Sequence, residues 1–318
     1  MNPKPKLWRR SAVTIIAGFK TKEGVVICAD TQETISNISK RNVPKLRFEP
    51  ADKLFYGARG HRSDDVAAAF CGAANNGPFI DKLVDNAWES AQACASLDEV
   101  CVEVEASIKA TYKEFSTIYQ SGYCPEAELI YGVKMSGSTK LFSALGPVVT
   151  ERTEYASGGA GYYMADFLKA KMYGNHLTLH QCVILAAYTL FQAKEHVDGC
   201  GGESHIAVLR DNGVSGRVAA DKVDAITKLL VSTDDAISRV LLDAANLEHT
   251  DETFRQELRT TLEVVARLRN IRKGELDRAR ETLEAVGRIL GGLSYQPETL
   301  DPFGLPMPSG AQTSESEQ

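Results

Sequence analysis

Apolar and polar positions follow two rhythms along this chain, and the change from one to the other orders its parts. Residues 13–30 alternate apolar clusters rich in Val, Ile and Thr around a Lys22-Glu23-Gly24 turn, which predicts two short strands. Val43-Pro44-Lys45-Leu46-Arg47-Phe48 extends again. Val66 to Gly72 is small and apolar until Ala73-Ala74-Asn75-Asn76-Gly77 breaks the run. Helical stretches follow at Pro78 to Ala91, with Pro at an N-terminal position, and from Ser96 to about Tyr119, where Ser96-Leu97-Asp98-Glu99 has the form of a capping box. Strand character returns in Leu129–Met135 and Thr139–Leu145 across Ser136-Gly137-Ser138, a hairpin signal. Gly161 to Met172 and Leu177 to Val197 read as helices, and His205–Leu209 with Gly213–Val218 as a last hairpin. Hairpins separated by helix pairs predict antiparallel sheets covered by helices, not a doubly wound parallel sheet.

Beyond Val218 the period lengthens to that of amphipathic helix, with Leu258, Leu262, Val265, Leu268 and Ile271, then Leu276, Leu283, Val286 and Leu290. This predicts a helical cap on the core or on a partner. The last stretch carries Pro297, Pro302, Pro306 and Pro308 and ends Ser314-Glu315-Ser316-Glu317-Gln318, the composition of a disordered tail.

Composition narrows the function classes. The 318 residues are 43% hydrophobic and 25% charged, ordinary for a soluble globular chain, and the net charge of −6 offers no broad attraction for nucleic acid or an anionic membrane. Seven cysteines without a CxxC pair argue against a disulfide framework or a zinc ribbon and point to a reducing, cytoplasmic setting. Lys4, Lys6, Arg9 and Arg10 precede no apolar stretch of signal-peptide length, and Leu177–Val197 is interrupted by His180, Gln192, Lys194, Glu195 and His196, so it reads as a buried helix and not a membrane span.

The chemistry centres on Thr14. It opens the first strand, with Asp30 at the end of the second and Lys45 at the start of the next extended run, so one hairpin and its neighbour can return an acid and a base to its hydroxyl. A threonine hydroxyl needs a base. An N-terminal threonine supplies one in its own α-amine, with a pKa of about 7.7–8.0, whereas an internal threonine has an amide there. The functional reading therefore requires removal of residues 1–13. Lys45 is then a cation easing proton loss from Thr14, and Asp30 the partner that orients Lys45.

The wider pattern resembles the proteasome β subunits. Thr14 starts the first strand, the second ends in Ala29-Asp30-Thr31, and Val43-Pro44-Lys45-Leu46 is similar to the segment carrying that family's catalytic lysine. Phe70-Cys71-Gly72-Ala73-Ala74 is similar to its glycine-rich strand end, Ala156-Ser157-Gly158-Gly159 to its Ser-Gly turn, and Cys200-Gly201-Gly202-Glu203-Ser204-His205 to its Ser-Gly-Gly turn and the strand after it. The match runs from about residue 14 to 218 in the family's order of elements. It implies an α+β fold, the four-layer αββα sandwich of N-terminal nucleophile hydrolases, here with a C-terminal helical extension. Residues 1–13 then form a propeptide, 14–218 the hydrolase domain, 219–296 the helical extension and 297–318 the tail.

Carried over by position, the resemblance implies a threonine-type endopeptidase with Thr14 as nucleophile, Asp30 and Lys45 as its activating pair, the Gly72 amide as oxyanion donor, Ser157 as a supporting hydroxyl and Asp198 near the terminal amine. No metal or organic cofactor is implied. The implied partners are a peptide or unfolded protein substrate, further copies of the chain in a ring, and an ATPase whose presence the sequence does not reveal. Departures from the family pattern mark a divergent, bacterial-type relative: Val13 stands where self-processing subunits carry glycine, the chain between Lys45 and Gly72 is longer, a helical extension follows Val218, Asp198 is two rather than three residues before the turn's first residue, and that residue is Cys200 instead of serine. Val13, the shifted Asp198 and the unprocessed length motivate an alternative, a non-catalytic scaffold or assembly subunit of the same fold. Other constellations are poorer: His176 and His180 lack an acidic third ligand, Cys200 between His196 and His205 sits in a glycine turn, and Ser157-Gly158-Gly159-Ala160-Gly161 lacks the Lys-Ser/Thr of a phosphate loop.

Overall fold

A computed structural model describes residues 14–35, 39–49, 66–118, 125–213, 215–246 and 250–266. The segment 1–13, most of the loop between Arg47 and Asp65, and the predicted helical positions Leu268 to Leu290 with the tail after them lie outside the described residues. The chain forms two units, one of residues 1–211 with 215–220 and one of 212–214 with 221–318.

In the first unit, β1 (Ile16–Lys20) and β2 (Gly24–Asp30) form the opening hairpin. β3 (Gln32–Ile35) and β4 (Ser39–Asn42) form a small separate hairpin. β5 (Leu46–Glu49) and β6 (Ala67–Ala74) precede α1 (Gly77–Ala93) and α2 (Leu97–Ile118). β7 (Ala127–Met135), β8 (Ser138–Leu145), β9 (Val148–Arg152) and β10 (Tyr155–Gly158) follow, then α3 (Tyr162–Met172), α4 (Leu179–His196), β11 (Ser204–Arg210) and β12 (Gly216–Arg217). One sheet has the order β10-β1-β2-β11-β12 and the other β5-β6-β7-β8-β9, with every pair antiparallel. The fold is the α+β, proteasome-like N-terminal nucleophile sandwich, four layers of helix, sheet, sheet and helix.

Side-chain alternation explains the layers. On β6, β7 and β8 one face (Phe70, Tyr131, Phe142) meets Phe79, Leu83, Val104 and Ile108 of α1 and α2. The other face (Ala69, Cys71, Ile130, Leu141) meets Ile16, Val25, Ile27, Ala207 and Leu209 of the first sheet. α4 covers β2 and β11 from outside, and α3 packs on α4 and β10. The inner layer is thin where small residues face large ones. A Cβ on Gly18 would sit 2.7 Å from Leu141 Cδ1, so the sheets touch there only because the side chain is absent.

Helix starts use side-chain acceptors. Asn76 Oδ1 accepts the Phe79 N–H at 3.1 Å, with Pro78 in the first turn of α1. The capping box expected at Ser96 resolves differently: the Glu99 carboxylate accepts the Ala95 N–H at 2.9 Å. A complete box appears instead on α4, where Thr178 and Gln181 exchange bonds. In the second unit, α5 (Ala220–Asp243) buries Val223, Leu230 and Ala236. Residues 251–266 are helical, and Thr261 Oγ1 lies 3.3 Å from the Ala236 carbonyl of α5. No described helix is long and apolar enough to cross a membrane.

Tyr131 tests the helix-facing core. Its fully buried ring stacks between Phe70 and Phe142, with centroids 5.5 and 5.0 Å away, and its hydroxyl has no hydrogen-bond partner among the described residues. A buried unsatisfied hydroxyl costs about 1–3 kcal/mol. Tyr131→Phe is therefore expected to raise the denaturation midpoint, whereas Tyr131→Ala costs about 3–5 kcal/mol by leaving a cavity. A Phe variant less stable than wild type in urea melts would contradict this account.

Candidate active site

The site forms at one end of the first sheet, where β1 begins and β2 ends. Pairing of Ile16 with Ala29 sets Thr14 and Ile15 opposite the last residue of β2, and the Asp30 N–H donates to the Ile15 carbonyl at 3.2 Å. Strand β11 flanks β2 on its other side, with Ser204 opposite Asp30, which brings the preceding turn (Gly199 to Gly202) to the same end. Lys45 arrives from just before β5.

Asp30 is fully buried and is the hub. Its Oδ1 accepts the Thr14 hydroxyl, the Lys45 ammonium at 2.8 Å and the Ile15 N–H at 3.3 Å, while Oδ2 accepts the Gly201 N–H at 2.9 Å. Lys45 Nζ also donates to Thr14 Oγ1 at 2.5 Å and to the Gln32 carbonyl. The Thr14 oxygen thus sits between an acceptor and a cation, and 2% of the residue's surface is exposed. Burial pushes the Lys45 pKa below its ordinary value, and the neighbouring Asp30 charge opposes that shift. Cys200, 6% exposed, also interacts with this pair: burial and then Asp30 push its thiol up to about 12, against the Lys45 charge.

Of the remaining expected residues, Gly72 adjoins this cluster through the Lys45 main chain, and Ser157 and Asp198 are not among its hydrogen-bond partners. The Gly72 N–H donates to the Lys45 carbonyl at 3.2 Å, so in this structure it is engaged and not directed at an oxyanion. Ser157 is opposite Ala17 on β10; Ala156 faces the inter-sheet core, so Ser157 points the other way and donates to Asp166 of α3 at 2.7 Å. Asp198 is exposed in the turn after α4 and makes no hydrogen bond to Thr14. Among the described residues no group of three or more His, Cys, Asp and Glu is arranged to hold a metal ion.

Three contributors were not singled out from the sequence. Gly201 supplies an amide to Asp30, Gln32 a carbonyl to Lys45, and Gly159 lies directly against Thr14. Gly159 and Gly201 belong to the two glycine turns whose patterns were recognised, but which glycine meets the nucleophile is decided by the meeting of distant strands. Gly159 has φ +74, and a Cβ there would lie 2.4 Å from the Thr14 carbonyl oxygen.

No family model and no curated protein matches the chain. Solved structures do. The Anbu (Gly-1) mutant from Hyphomicrobium sp. strain MC1 matches with TM-score 0.56 and 13% identity, covering 75% of this chain and 99% of that one. Anbu (ancestral beta-subunit) from Yersinia bercovieri matches with TM-score 0.55 and 12% identity over 71% and 97%. The Anbu complex from Pseudomonas aeruginosa, described as a helical assembly, matches with TM-score 0.55 and 15% identity over 71% and 96%. The assignment to proteasome β subunits is corrected by these matches, in which the likeness in fold falls on Anbu.

Gly159→Ala is expected to displace the Thr14 carbonyl, since both the positive φ and the backbone clash oppose the methyl group. A loss of about 2 kcal/mol or more in denaturant titration is the predicted result, and unchanged stability would contradict the contact. At these identities the comparisons establish for this chain a proteasome-like N-terminal nucleophile fold similar to that of Anbu.

Proposed function

We propose that the protein is a threonine-type peptidase whose nucleophile is the Thr14 hydroxyl, exposed at a new N-terminus by removal of residues 1–13. The observation that carries this reading is the buried contact of the Thr14 oxygen with both Asp30 and Lys45. The liberated α-amine accepts the hydroxyl proton as the oxygen attacks a peptide carbonyl, and the same proton passes to the leaving amine. The Lys45 ammonium stabilises the developing negative charge on Thr14 Oγ1, and Asp30 fixes both groups. A water activated by the free amine then hydrolyses the ester. An internal threonine has an amide where this mechanism needs a free amine, so processing is integral to the reading. The hydrolase domain is taken as residues 14–218, the substrate as a peptide or unfolded chain and the working form as a self-associated complex, in line with the helical assembly named for an Anbu relative.

A second reading, a non-catalytic scaffold of the same fold, is favoured by one set of observations. The Gly72 amide is engaged, Asp198 is exposed, and Cys200 occupies the position of the expected serine. One experiment separates the two. Purified protein is incubated with a peptidyl epoxyketone and its intact mass recorded. The peptidase reading expects a chain beginning at Thr14 and carrying the adduct, with at least a hundredfold loss in Thr14→Ala and Lys45→Ala. Peptide hydrolysis by a chain that retains residues 1–13 would reject the mechanism.

The charge coupling has its own test. Burial holds the Lys45 pKa below 10.5 and Asp30 pulls it upward, so removing the Asp30 charge must lower it further. In a ¹³C NMR titration of labelled lysine, Asp30→Asn is expected to shift the Lys45 midpoint to lower pH than in wild type. An unchanged or raised midpoint would contradict the pairing.

A further inference from the structure

Glu128 belongs to β7, in the sheet that does not carry Thr14, yet its side chain crosses to the turn between β10 and α3. Its Oε2 accepts the Gly159 N–H at 2.9 Å, and the same oxygen lies 2.5 Å from where a Gly158 Cβ would stand. The other side of Gly159 abuts the Thr14 main chain, and two residues on the Gly161 N–H donates to the Thr14 carbonyl at 3.0 Å. One short turn is thus gripped by a carboxylate on one side and holds the nucleophile's backbone on the other.

We propose that Glu128 is a positioning residue for Thr14, acting through the Gly159 amide; this rests on the peptidase reading above. The chain after the Thr14 carbonyl is held by β1, paired from Ile16 and bonded to Asp30 at Ile15, so a turn about the Thr14 Cα–C bond moves its Cβ and Oγ1 relative to Asp30 and Lys45. Gly159 carries no side chain that would stiffen its left-handed conformation, so the hydrogen bond from the opposite sheet supplies that restraint. A misplacement of about 1 Å at a nucleophile is enough for a hundredfold loss of rate. The required property is an acceptor at the Glu128 Oε2 position, and a neutral carboxamide keeps one.

The test uses the full chain and the peptidyl epoxyketone, with adduct formation at Thr14 followed by intact mass over time and probe concentration. Glu128→Leu is expected to lower the limiting rate about 10- to 100-fold while the half-saturating probe concentration stays within about twofold. Glu128→Gln is expected to recover to within about threefold of wild type. Should Glu128→Leu fail to fold, Glu128→Asp, one methylene shorter, is read in its place, and a reduced limiting rate is again expected. A reactive wild type with an equally reactive Leu or Asp variant overturns the positioning role alone, as does a Gln variant no faster than Leu. A wild type that forms no Thr14 adduct overturns the peptidase reading and the role built on it together.

Discussion

A fully buried carboxylate governs this structure. Asp30 is shut off from bulk solvent, and an unpaired charge in such a place costs several kcal/mol. Four donors offset that cost, and they come from three separate parts of the chain: Thr14 and Ile15 before β1, Lys45 before β5 and Gly201 before β11. The ends of both sheets and the turn after α4 must all be in place before the charge is satisfied. The same hub that makes the end of β2 tolerable also sets the Thr14 oxygen against an ammonium, so the fold of this end and the geometry around Thr14 share one requirement.

The sequence carried the layers and the nearness of Thr14 and Asp30 because both depend on short-range regularities, and it placed Lys45 at the start of the next extended run, from which it meets them. Alternation marked β2, β7 and β11, and the hairpin through Gly24 fixes the separation of Thr14 from Asp30. It did not mark the hairpin Gln32–Ile35 with Ser39–Asn42, whose sequence is mostly polar, nor β9, where Val149 is the one buried position. Ser157 was assigned by its place in a glycine turn, but the pleat of β10 turns it toward Asp166. Gly159 and Glu128 were beyond reach for a different reason. Their contact joins residues 31 apart on opposite sheets, and no local period reports such a meeting.

Fold and activity rest on different supports here. The likeness to Anbu at 12–15% identity reaches the sandwich and its strand order, and a fold of this kind hosts more than one chemistry. Activity has to be argued from atoms. Thr14 and Lys45 are drawn together around Asp30, whereas four amides near them are already engaged: Gly72 with Lys45, Gly159 with Glu128, Gly161 with Thr14 and Gly201 with Asp30.

Cys200 gives the site a further property. Sulfur is intrinsically the better nucleophile, and this thiol lies within the electrostatic reach of Lys45, but burial and Asp30 together keep it protonated at neutral pH. A group that reacts only as its anion is thereby held in its unreactive form beside the Thr14 hydroxyl. Haloacetamides and other alkylating agents that seek thiolates are accordingly expected to react slowly with Cys200.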